Sequence, residues 1–85
     1  MKLRWFGEDR ILRGVTALDC LRYHCQGDHT AEGMRSDVDG VMTRLAETFQ
    51  FDPAYKALPT LEERSTAFVK IALDRGILVN ATPQG

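Results

Sequence analysis

Apolar side chains recur every three to four positions along most of this chain, which is the period of an amphipathic helix. Between Glu8 and Gln26 they stand at Ile11, Leu12, Val15, Leu18, Leu21 and Cys25. Between Ala31 and Phe49 they stand at Met34, Val38, Val41, Met42, Leu45 and Phe49, within an arc of ~100°. A third set, Leu61, Phe68, Val69, Ile71, Ala72 and Leu73, covers more than half the circumference of a helix from Leu61 to Arg75. The last of these is expected to be the most buried.

Local chemistry sets the ends of these segments. Thr60 followed three residues later by Glu63 is a capping box, and Arg75-Gly76 supplies a basic last turn and a glycine for a left-handed stop. Asp52 before Pro53 starts a short helix that Pro59 soon ends. Thr30 caps the second segment. Glu8 and Asp9 favour the start of the first, with Phe6 and Ile11 placed as a hydrophobic staple around Gly7. Gly14 interrupts that segment, as a close approach or simply a weak point. Ile77-Leu78-Val79 is a short apolar run that packs back on the last helix or forms a lone strand. The expected fold is all-α: one domain over residues 1–85, three main helices plus a short fourth, an extended N-terminal arm carrying Trp5, and a frayed tail over 80–85. The alternative is α+β, with Lys2–Phe6 and Ile11–Val15 as a β-hairpin around Gly7-Glu8-Asp9-Arg10.

Composition narrows the class. With 85 residues and 44% apolar side chains, the chain has the make-up of one small globular domain rather than a disordered segment. The net charge of -1 hides an uneven distribution. Residues 1–25 balance at +2, residues 26–52 at -4 and residues 53–85 at +1. The acidic middle suits a basic protein surface better than nucleic acid. Cys20 and Cys25 are five apart on a predicted helix and cannot easily bridge each other, so free thiols and a cytoplasmic, reducing setting are expected. No run approaches the ~20 apolar residues of a membrane span.

Candidate chemistry is sparse. Cys20–His24 and Cys25–His29 repeat a spacing of four, which on a helix could clamp a metal, with Asp28 a further ligand. The two pairs face different ways, so the plainer reading is a buried Cys25 and an exposed Cys20–His24 pair, whose thiol an imidazolium could activate. Asp28-His29-Thr30-Ala31-Glu32-Gly33-Met34-Arg35-Ser36-Asp37-Val38-Asp39 resembles in part the calcium loop of the EF-hand family. Oxygen-bearing side chains occupy loop positions one, three, five, nine and twelve, with glycine at six. Arg35 replaces the usual aliphatic residue, Asp39 the usual bidentate glutamate, and no second loop follows. Thr30 as a helix cap accounts for the same residues, and no cofactor is expected.

Asp52–Leu58 followed by Leu61–Arg75 has the lengths of a helix-turn-helix, and Ile77–Val79 could open a wing. Glu62 and Glu63 at the start of the second helix oppose DNA there. With no phosphate loop or nucleophile motif, the sequence reads as a non-catalytic protein–protein interaction module: a small regulator, inhibitor or accessory subunit, or a homodimer. Its expected contacts are the acidic residues Asp37, Asp39 and Glu47, with Trp5 and Tyr55 as aromatic anchors for a partner of basic surface.

Overall fold

The N-terminal segment departs first from that expectation. In the computed structural model, which describes residues 1–26 and 38–81, the chain opens with strands β1 (Lys2–Trp5) and β2 (Ile11–Arg13). Helix α1 (Ala17–Gln26), helix α2 (Val38–Phe49), a 3-10 turn (Pro53–Ala57), helix α3 (Leu61–Asp74) and strand β3 (Leu78–Asn80) follow. The all-α expectation is therefore wrong. The protein is α+β, and the β-hairpin alternative describes its N-terminus.

The three strands form one antiparallel sheet in the order β2-β1-β3. Leu3 stands opposite Leu12, and Trp5 opposite Leu78. These four side chains are buried on one face of the sheet. Gly7 is not a helix cap. Its φ of 83° turns the chain after β1, and the Glu8 amide donates to the Trp5 carbonyl at 3.0 Å. Gly14 marks a close approach. A Cβ there would overlap the Asp19 side chain and lie 2.8 Å from the Cys20 amide nitrogen. Strand β2 can therefore run directly into α1 only without a side chain at this position.

Helix α1 starts at a cap the periodicity concealed. The Asp19 amide donates to Thr16 Oγ1 at 3.2 Å, while Asp19 Oδ2 accepts from the Val15 amide at 3.3 Å. This is a variant of the reciprocal capping pair, with an aspartate for the glutamate and the amide before the cap, Val15, as the second donor. Two of the other caps stand where the sequence put them, and Thr30 lies outside the described residues. Thr60 Oγ1 accepts from the Glu63 amide at 3.1 Å, and Asp52 Oδ1 from the Ala54 amide at 3.0 Å. Past α3, Gly76 adopts a φ of 73°, its amide donates to the Leu73 carbonyl, and the Ile77 amide donates to the Ala72 carbonyl at 2.9 Å. That Schellman stop turns the chain back into β3, so of the run Ile77–Val79 the first residue closes the stop and the other two lie in the sheet's third strand.

The helices cover the apolar face of the sheet. Leu12, Leu21, Met42, Phe68 and Leu78 are fully buried in one cluster. Phe68 sits between Phe51 and Tyr55, with ring centroids 5.2 and 5.8 Å away. Each such side chain contributes about 1.5–3 kcal/mol by leaving water.

Candidate functional site

The end of β1, the last turns of α1 and α2, and the α3–β3 junction surround an apolar groove of about 620 Å³. Trp5, Leu45, Phe49 and Ile77 form its apolar lining, and Glu8 and Arg75 add one charge of each sign. Phe6 lines the same groove and is 76% exposed, as a large aromatic ring seldom is. The sequence placed Phe6 in a helix staple with Ile11, which the β-hairpin replaces, and not among the contact residues. The signal was there: Leu3 and Trp5 point inward on β1, so the next residue is carried past the core onto the turn.

Trp5 and His24 are joined across the groove floor. The indole Nε1–H donates to His24 Nδ1 at 3.1 Å, with the rings edge to face at 5.5 Å. Arg75 closes the opposite side. Its Nη1 donates to the Phe49 carbonyl at 2.6 Å, and its guanidinium lies 5.1 Å from the centre of the Phe51 ring. A cation at a helix C-terminus meets carbonyls that have no intrahelical partner, so Arg75 ties the end of α2 to the end of α3.

The predicted anchors Trp5 and Tyr55 are core residues, 9% and 5% exposed. Asp39 is engaged within the molecule. Both of its carboxylate oxygens accept from Arg64, at 3.1 Å each, while Arg64 Nη1 also donates to the Leu58 carbonyl. Glu47 is exposed on α2. The structure thus separates the expected contact residues: Glu47 lies open, Asp39 is paired, and the aromatic pair lies inside. Asp37 lies outside the described residues, as do Asp28, His29 and the side chain of Cys25.

The exposed Cys20–His24 pair is also corrected. Cys20 is fully buried, because α1 begins at Ala17 and turns this thiol under β2. Its Sγ donates weakly to the Met1 and Leu12 carbonyls at 3.7 and 3.8 Å. Burial pushes the thiol up from its ordinary 9.0; the ammonium of Met1 opposes that and Asp19 reinforces it. A thiol so placed is held protonated, the opposite of an activated nucleophile. His24, meanwhile, serves Trp5. Among the described residues no three metal-ligating side chains converge. None of the described helices is long and apolar enough to cross a membrane.

A second surface lies on the far side of the sheet. Lys2, Arg4 and Arg13 point there with Ile11 and Val79, opposite the buried Leu3, Trp5, Leu12 and Leu78. The three strands carry no acidic residue. Lys2 stands directly across from Arg13. No protein-family model, curated protein or solved structure matches the chain, so the groove and the cationic sheet face are judged on their own chemistry.

Proposed function

We propose that this chain is a non-catalytic protein-interaction module, a small regulator or accessory subunit, and that the groove beside Phe6 receives an apolar side chain of its partner. The observation that carries this reading is Phe6, left 76% exposed at a groove lined mainly by the apolar Trp5, Leu45, Phe49 and Ile77. Burying such a ring in a partner removes its apolar area from water, a gain of about 1.5–3 kcal/mol. Glu8 and Arg75 give the groove opposite charges that would orient whatever enters. The free, buried thiol of Cys20 suits a reducing setting such as the cytoplasm.

The test is solution mass by light scattering, for the chain alone and with fractionated cell extract. A heavier complex that Phe6→Glu abolishes, while the circular dichroism spectrum stays unchanged, supports the reading. A doubled mass in buffer alone makes the partner a second copy. A mass indifferent to Phe6→Glu removes the groove from the account. The nucleic-acid alternative has its own check, since retardation of a duplex at low salt would replace a protein partner with DNA.

A further inference from the structure

Strand β2 is an outer strand of the sheet, and the register determines which of its amides face outward. Gly14 donates to the Met1 carbonyl at 3.1 Å and accepts from the Met1 nitrogen at 2.7 Å. In an antiparallel ladder, residues alternate between facing the neighbour and facing away. Leu12 therefore faces β1, and the N–H and C=O groups of Ile11 and Arg13 point to the edge that no described strand covers. Beside that edge the outer sheet face carries Lys2, Arg4 and Arg13, with no carboxylate on any strand.

Lys2 and Arg13 form a non-hydrogen-bonded pair, the position at which cross-strand side chains come closest. Like charges there destabilise the sheet. The described ion pair, Arg64–Asp39, lies elsewhere and offers no relief. Positive charge on an open edge also discourages pairing with a second copy, since Arg13 and Lys2 of both chains would be brought together. The same charge attracts an acidic strand. Single-stranded nucleic acid prefers aromatic platforms, and this face offers the aliphatic Ile11 and Val79 instead.

We propose that the free edge of β2 binds an extended acidic peptide as a fourth strand. Its alternate carboxylates lie on the outer face beside Arg13 and Lys2, their methylene stems over Ile11. The residues between them are aliphatic and extend the inner face next to Leu12. Main-chain bonds to Ile11 and Arg13 supply the attachment, and the cations choose the sequence. This surface is separate from the groove at Phe6, so either site can fail while the other stands.

The probe is a short capped peptide of alternating glutamate and valine, compared with a lysine–valine peptide, an oligouridylate and phosphatidylserine vesicles. The readout is amide hydrogen exchange at Ile11 and Arg13 by NMR, alongside titration calorimetry. The glutamate peptide should slow exchange at both amides. Arg13→Glu, at an exposed position, should keep the native spectrum, weaken that peptide about tenfold and prefer the lysine peptide. Unchanged exchange at saturating peptide overturns the proposal. So does equal affinity in Arg13→Glu, or stronger protection of these amides by the oligouridylate or the vesicles.

Discussion

Trp5 is the single tryptophan of the chain, and its indole N–H is satisfied by one nitrogen of His24. That bond requires a neutral imidazole with its proton on the other nitrogen, because a protonated imidazole has no acceptor left. Removing that acceptor leaves a buried indole without this partner. His24→Leu should shift the tryptophan emission, whereas His24→Gln, whose side-chain oxygen can accept the same bond, should keep it. Cys20 carries a dependence on pH. Its folded thiol titrates above the ordinary 9.0, so the native state holds its proton where the unfolded chain releases it. Stability is then full below about pH 9 and falls as pH rises beyond it. Tyr55 adds to the fall above its ordinary 10.0, because burial outweighs the neighbouring Thr43 side chain and no described group gives its hydroxyl a well-formed hydrogen bond. Urea midpoints across the alkaline range should show this decline. Cys20→Ala should flatten its first part while costing about 1–2 kcal/mol at neutral pH for the vacated volume.

Elements here live or fail by their ends. Helix α2 stops with Gln50 at a φ of 58°, the Phe51 amide donating to the Ala46 carbonyl as in a Schellman motif. A side chain in that conformation is strained where glycine is not. Gln50→Gly should raise the urea-derived stability by about 0.5–1 kcal/mol. Gly14→Ala should lower it by about 1–3 kcal/mol, because the added methyl meets Asp19 and the Cys20 backbone. Capping signals act over three or four residues, which is why Thr60–Glu63, Asp52–Pro53 and Gly76 were legible in the sequence. Thr16–Asp19 was equally legible and was masked by the apolar spacing of Ile11, Leu12, Val15 and Leu18. A strand of three residues contains too little alternation to contradict a helical period. Its identity comes from β1, and β1's in turn from β3 at the far end of the described chain. The groove was hidden for the same reason. It borrows Trp5, His24 and Phe49 from three separate elements and Ile77 from the α3–β3 junction, and burial of Trp5 and Tyr55 depends on packing that periodicity does not encode.

For the molecule as a whole, the outward distribution of charge matters more than its near-zero sum. The outer face of the sheet carries three cations with no described ion pair, while the Asp39 carboxylate on α2 is engaged by Arg64. The sheet's central strand joins two different separations along the chain. β1 meets β2 across a five-residue turn, and meets β3 only after the three described helices have intervened. Forming the second contact requires closing almost the entire described chain, an entropy cost that favours its late appearance. Substitutions on the two flanks should consequently divide in a chevron plot. Ile11→Ala should slow refolding, whereas Val79→Ala should leave refolding nearly untouched and hasten unfolding. The last strand to arrive would thus govern how long the native state persists.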